Sequence, residues 1–290
     1  MANTLFCFGY GFTAAALGER LLREGWRVRG TTRSAKKADK MRAAGAEPVI
    51  WSAGSLFPSD ELDDATAVLL SIAPDEAGDP VYRCCAPALA AAAPGVGWLG
   101  YLSTTGVYGD RKGGAVDETS DLAPTGERGK RRVRAEANWT LFAMEHALPF
   151  HVFRLGGIYG PGRSALDQVR TGTARRVEKP GQVFNRIHVA DAADALARSI
   201  AAPKDGAIYN LVDDEPSAPG DPALYAARLL DAPPPPAVPF ASAELSAMAR
   251  SFYSDNKRVS NARLKSDLGW APRYPSFREG LEAIAAGETA

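Results

Sequence analysis

Short apolar runs rich in branched and aromatic residues alternate with segments of helical spacing from the start of the chain to about Tyr159, the pattern of successive strand–helix–strand units. Asn3–Phe8, Trp26–Gly30, Glu47–Trp51, Ala67–Ile72, Trp98–Ser103 and Phe150–Arg154 are predicted as strands, and Ala14–Glu24 as the helix joining the first two. Right-handed crossovers would return every strand in the same direction, so the expected class is α/β, with a Rossmann-type, doubly wound parallel sheet. Beyond Tyr159 glycine, proline and arginine become frequent, and Pro233–Pro236 reads as a rigid surface connector because neither a helix nor a central strand tolerates it. The stretch from Leu264 to Ile284 ends in an amphipathic helix. The organisation expected is a sheet domain over residues 1–160, with 183–212 returning to it, and a smaller C-terminal lobe of 161–182 and 213–290.

Composition narrows the class without naming a task. A chain of 290 residues with 46% hydrophobic positions can bury a large core. Its 34 basic residues balance 34 acidic ones, so no global field draws it to nucleic acid or to an anionic membrane. The basic run from Lys130 to Arg134 lacks interleaved aromatics and reads as a helix face or an anion pocket, not a nucleic-acid patch. Cys7, Cys84 and Cys85 are odd in number and give no disulfide framework. With no charged leader before an apolar segment, and an alanine-rich stretch from Cys85 to Gly97 too short to span a bilayer, the expected location is cytoplasmic. The three histidines show no ligand spacing, and no metal is expected; His188 falls where the strand pattern places a packed core residue.

Candidate chemistry begins at Gly9, Gly11 and Ala14, which form G-x-G-x-x-A between a predicted strand and a predicted helix. The first glycine permits a tight turn and the second a close approach to a pyrophosphate, while the small third residue lets the helix pack on the strand. After the second strand, where an NAD site places an acid for the ribose hydroxyls, the chain reads Gly30-Thr31-Thr32-Arg33-Ser34, with no acid before Asp39. A guanidinium and hydroxyls at this place suit a 2'-phosphate, so Thr32, Arg33 and Ser34 point to NADP, with NAD as the alternative.

Further segments resemble the NAD(P)-dependent epimerase/dehydratase branch of the short-chain dehydrogenase/reductase superfamily: LSIAP, STTGVYGD, FRLGGIYGPGR, RIHVADAADAL, YNLVDDEP and DLGWAP, spread over most of the chain. The resemblance implies that Phe12 and Thr13, then Ser71, Ile72 and Ala73, and Gly157 and Ile158 also line the cofactor. It places Thr104 where the family polarises a hydroxyl or carbonyl, with Thr105 beside it. The family's Y-x-x-x-K is replaced, since Arg128 stands at the tyrosine and Arg132 at the lysine. Arg132 retains donors for ribose hydroxyls, but Arg128 stays protonated at neutral pH and cannot shuttle a proton. Tyr108 is the nearest substitute acid, although packing is its usual role in the family, and Asp117, Glu118 and Glu127 are the carboxylates within reach in sequence.

On the substrate side, the arginine that contacts a diphosphate in nucleotide-sugar members falls at Phe184, with Arg186 two residues on. Arg163, Arg186, Lys257 and Arg258 lie in segments that flank the substrate in the family and favour an anionic small molecule. Two functions compete: an NADP-preferring oxidoreductase or epimerase with atypical acid/base residues, and a non-catalytic NADP(H)-binding sensor. The oligomeric state is open, a homodimer among the options, because no clean apolar stripe marks Arg128–Met144.

Overall fold

The computed structural model describes residues 3–287. In chain order the elements are β1 Thr4–Phe8, α1 Phe12–Arg23, β2 Arg27–Thr32, α2 Ala35–Ala43, β3 Glu47–Ile50, β4 Ala67–Leu70, α3 Pro80–Ala92, β5 Trp98–Thr104, β6 Ala115–Val116, α4 Glu127–Glu145, β7 Phe150–Leu155 and β8 Gly157–Tyr159. There follow α5 Ala165–Arg170, β9 Arg176–Glu178, β10 Arg186–His188, α6 Val189–Ala201, β11 Ala207–Leu211, α7 Asp221–Leu229, β12 Ala237–Pro239, α8 Ala247–Phe252, β13 Arg258–Val259, α9 Ala262–Leu268 and α10 Phe277–Ala285. A seven-stranded sheet has the order β11-β7-β5-β4-β1-β2-β3, which is the doubly wound arrangement. Its ladders run parallel, with Leu5 opposite Val28 of β2 and Ala67 of β4. The six predicted strands all lie in this sheet, displaced by a residue or two at their ends. β2 extends past Gly30 to Thr32, and α1 starts at Phe12, not Ala14, because Gly11 already serves as its N-cap.

Every residue of β1 is buried, as a strand covered on both faces must be. Successive side chains point to opposite faces. Phe6, Phe8, Val68, Leu70, Leu99, Tyr101 and Val152 join one cluster with Val81, Cys85 and Leu89 of α3 and Ala135, Trp139 and Phe142 of α4. Near β3, Phe6, Phe8, Trp51 and Phe57 pack edge to face or tilted with centroids 5.0 to 6.3 Å apart.

The chain divides into two compact units, the first comprising 1–104, 127–154 and 192–209, the second 105–126, 155–191 and 210–290. β8 lies parallel to β10, and β6 to β13, in small ladders of the second unit and not in the large sheet. The second unit has its own core, formed by Tyr159, Leu166, Ala226, Phe277, Leu281 and Ile284. Phe277, Leu281 and Ile284 are one face of α10, the amphipathic helix read from the sequence. Pro233–Pro236 forms no helix or strand, and only Pro235 is buried. No helix among the described residues is long and apolar enough to cross a membrane.

Candidate functional site

The first unit carries the glycine loop. Gly9 has φ +90°, and a Cβ there would lie 2.7 Å from Ile72 Cγ1, so glycine is required both by backbone conformation and by the approach of the segment after β4. The Gly9 N–H donates to Thr31 Oγ1 at 2.7 Å and the Tyr10 N–H to the Thr31 carbonyl at 2.9 Å, tying the loop to β2. Gly11 is exposed, and a Cβ on it would meet nothing within 4 Å, which leaves its backbone open to a ligand. It caps α1 without a side-chain hydrogen bond, and no acidic residue occupies the first turn. An N-terminus of this kind suits a diphosphate. Phe12 and Thr13 open the helix, and Ala14 is fully buried at its contact with the sheet.

Sequence reading missed the clamp under this loop. A Cβ on Gly18 would fall 2.2 Å from the Tyr10 hydroxyl, and one on Gly30 would fall 2.9 Å from Tyr10 Cδ2. The ring thus lies over two glycines, one on α1 and one on β2, and burial pushes the phenol's pKa up. Glycine inside a helix and inside a strand, both unfavourable by propensity, was the available signal.

At the end of β2, Thr31 and Thr32 are buried and Arg33 is exposed. Ser34 caps α2, accepting from the Lys37 N–H at 3.4 Å, and its own N–H donates to Thr32 Oγ1 at 3.3 Å. Asp39, the first acid beyond the strand, pairs with Arg42 at 2.9 Å. No ion pair among the described residues engages Arg33, Lys36 or Lys37. Ser71, Ile72 and Ala73 follow β4, with the Ser71 N–H donating to the Phe8 carbonyl at 2.9 Å, which sets them beside the glycine loop.

Thr104 closes β5 and is half-buried. Beneath that end lies a buried charged layer. Arg132 is 7% exposed; its Nη1 donates to the Tyr101 hydroxyl at 3.0 Å and to the Leu102 carbonyl, and its guanidinium lies 5.4 Å from the Tyr101 ring centroid. One turn on, Glu136 accepts from Ser103 Oγ and from Arg154 Nη2 at 2.8 Å. Asp79 accepts the Val81 and Tyr82 N–H groups at the start of α3 at 2.9 and 3.0 Å; burial raises its pKa, and the Arg132 charge opposes the rise. In this layer Arg154 and Glu136 form an ion pair, while Arg132 bonds to neutral acceptors of β5. Arg128, by contrast, lies exposed in the first turn of α4.

The other candidate acids are held in place by neighbours. Glu127 is exposed and pairs with Lys130 at 2.8 Å, which lowers its pKa. Asp117 binds the Thr119 hydroxyl and N–H within a surface turn, and these hold it below the usual carboxylate range.

In the second unit, Thr105 and Tyr108 lie on a short 3-10 turn and are both buried. The Tyr108 hydroxyl donates to Asn210 Oδ1 at 2.7 Å, and the Asn210 N–H donates to Glu118 Oε1 at 2.8 Å; burial raises the Glu118 pKa. Gly157 is exposed and Ile158 half-buried, both on β8, and Arg163 is exposed in the turn that follows. His188 is 2% exposed and packs 4.3 Å from Tyr274 and 5.2 Å from Tyr159 between ring centroids, the core position expected of it. Lys257 is 6% exposed, its Nζ donating to the Gly109 carbonyl at 2.8 Å and to Asp255 at 3.1 Å. Arg186 binds the Ser217 hydroxyl at 2.6 Å, beside a buried Asp213 that sequence reading did not single out.

No family model matches the chain. A functionally unknown conserved protein from Silicibacter pomeroyi is 50% identical over 100% of both chains, and its structure superposes with a TM-score of 0.93. Protein YeeZ of Escherichia coli K12 is 28% identical over 282 residues, 92% of this chain and 94% of that protein. A 3-diazoavenalumate denitrifying reductase from a Streptomyces species is 33% identical over 160 residues, 51% of each chain. Among solved structures, MoeE5 in complex with UDP-glucose and NAD matches with a TM-score of 0.79 at 20% identity over 98% of both chains. The UDP-glucuronic acid 4-epimerase of Bacillus cereus, in complex with UDP-glucuronic acid and NAD, matches with a TM-score of 0.79 at 16% identity over 98% of both.

Proposed function

We propose that this chain, which has the fold of the NAD-dependent epimerases and dehydratases of the short-chain dehydrogenase/reductase superfamily, binds NADP on its first unit and serves as an oxidoreductase for a small anionic substrate. The observation that carries the reading is Arg33, exposed and free of any ion pair among the described residues, beside an open glycine loop. A guanidinium there matches a 2'-phosphate by charge-assisted hydrogen bonds, where an acid would repel it. Gly9, Gly11, Phe12, Thr13 and Ala14 take the diphosphate. Thr32 and Ser34 assist Arg33, Ser71, Ile72 and Ala73 flank the dinucleotide, and the family resemblance assigns Thr104, Gly157 and Ile158 to the nicotinamide. Thr105, Arg163 and Arg186 serve the substrate. Arg132, with Nη1 bound to β5, contributes chiefly by fixing that strand end. The neighbours that hold NAD and the related reductase support nicotinamide chemistry.

A second reading, a non-catalytic NADP(H)-binding sensor, is favoured by one observation. The nearest substitute for the missing acid is otherwise engaged, the Tyr108 hydroxyl on Asn210, and Arg132, at the place of the family's lysine, is bound to Tyr101 and Leu102.

Calorimetry of NADPH and NADH on the purified chain, with Arg33→Asp alongside, tests the cofactor. NADPH should bind at least about tenfold tighter, a gap of about 1.4 kcal/mol, and Arg33→Asp should erase it; equal affinities in the unaltered chain refute NADP preference. Loss of NADPH absorbance across a panel of anionic carbonyl and diazo compounds then separates the two readings, since a sensor turns nothing over.

A further inference from the structure

Arg186 and Asp213 lie side by side in the second unit, the Asp213 N–H donating to the Arg186 carbonyl at 2.6 Å. The Arg186 guanidinium is half-buried and its hydrogen bonds go to neutral acceptors: the Ser217 hydroxyl at 2.6 Å and the carbonyls of Phe184, Ser217 and Ala218 at 3.2, 3.5 and 3.4 Å. No carboxylate among the described residues pairs with it. Burial lowers its pKa, so the cation is held at a cost that its carbonyl partners do not offset.

Asp213 is 3% exposed, and neither of its carboxylate oxygens has a hydrogen-bond partner. An ionised carboxylate in that condition is expensive. Burial pushes its pKa up to about 8, against the pull of Arg186 and of the Glu215 N–H, which does not reach hydrogen-bond geometry. The neighbouring acids are engaged elsewhere: Asp214 binds Lys265 at 2.6 Å, Glu215 binds Arg278 at 2.5 Å, and Asp221 accepts the Ala218 N–H at 3.1 Å. Tyr159 and Tyr253, which also face the pair, have raised pKa values through burial and stay neutral. Asp213 is therefore the carboxylate whose charge acts most strongly on Arg186, across a gap that no hydrogen bond bridges, and its burial keeps it protonated near neutrality.

We propose that Arg186 and Asp213 form a proton-gated anion site, which takes a carboxylate or phosphate group on Arg186 while Asp213 is protonated and gives it up when Asp213 loses its proton to solvent and supplies the counter-charge. The inference rests on the reading that Arg186 meets an anionic substrate, and adds the proton that controls the meeting.

Sulfate is the probe, because its charge does not change across the range needed. Its affinity for the whole chain is measured by calorimetry from about pH 6.5 to about pH 9.5, where a competing group of pKa about 8 weakens binding about 30-fold. Arg186→Gln should abolish the pH-dependent binding, and Asp213→Asn should bind at every pH as the unaltered chain does at the lowest. An Asp213→Asn profile as steep as the unaltered one, or sulfate binding unaffected by Arg186→Gln, overturns the proposal. Should Asp213→Asn fail to fold, titration of the unaltered chain at about pH 9 in two buffers of different ionisation heat decides, with uptake of about one proton per sulfate expected and none overturning it. Sulfate needs no dinucleotide, so the result stands apart from NADPH binding measured on the same preparation.

Discussion

His151 on β7 offers a sharp test of how burial sets the acid limit of the first unit. It is fully buried, its Nε2 accepts the Lys204 N–H at 2.7 Å, and its Nδ1 lies 2.6 Å from Ser199 Oγ, which also accepts from Trp98 Nε1 at 2.9 Å. Because Nε2 is an acceptor, the proton of the neutral ring belongs on Nδ1, directed at Ser199. A second proton would face the Lys204 N–H. Burial lowers the pKa from 6.5 to about 4, with Asp205 acting in the opposite direction. The sign follows from linkage: between those values the unfolded chain takes up a proton that the folded chain refuses, so this stability is complete above about pH 6.5 and is lost as pH falls toward 4.

The full difference between 6.5 and about 4, at about 1.36 kcal/mol per tenfold change in proton affinity, is about 3 kcal/mol, and about 2.5 kcal/mol of it falls between about pH 7 and about pH 4.5. The perturbation is His151→Gln, whose side-chain carbonyl can still accept the Lys204 N–H but cannot titrate. The assay is urea unfolding of both proteins at the two pH values. At neutral pH the variant should be less stable by about 1 to 2 kcal/mol, for the lost Ser199 bond and imperfect packing. At the lower pH that deficit should vanish or reverse, while every other titrating group cancels in the difference. A deficit that stays constant within about 0.5 kcal/mol would refute the reasoning and show that the ring is neither desolvated nor accepting in solution.

Three further outcomes are expected. Gly109→Ala, at φ +68° and with its Cβ 1.8 Å from the Ala123 carbonyl oxygen, should cost more than about 2 kcal/mol and lower the melting temperature by several degrees. Tyr108→Phe should lower stability by about 1 to 2 kcal/mol through the lost bond to Asn210 while leaving NADPH affinity unchanged; if turnover is found and disappears in this variant, the tyrosine is the proton donor after all. Glu136→Leu, which deprives buried Arg154 of its carboxylate, should cost about 3 to 5 kcal/mol in urea unfolding, and Arg154→Met in the same chain should recover most of the loss.

The alternation of apolar runs and helical spacing by itself determined the sheet, because a strand buried on both faces must be apolar at nearly every position, as Thr4–Phe8 nearly is. The glycine loop was equally legible, because the freedom to adopt φ +90° at Gly9 and the missing side chain at Gly11 belong to glycine itself. That Arg33 follows the end of β2 was readable too, because this depends only on where the strand stops. Helix α4 defeated the same reasoning, since its inward stripe combines Ala135, Trp139 and Phe142 with Arg132 and Glu136, and no periodicity distinguishes a buried charge from a solvated one. Only the tertiary structure showed that these charges meet partners from β5 and β7, and that Tyr10 lies across Gly18 and Gly30. The same holds for Asp213, an ordinary acid in a loop sequence until folding removes its water and sets it beside Arg186. Local conformational preference is written residue by residue, whereas desolvation and charge pairing depend on distances between residues far apart in the chain, which exist only once the chain has folded.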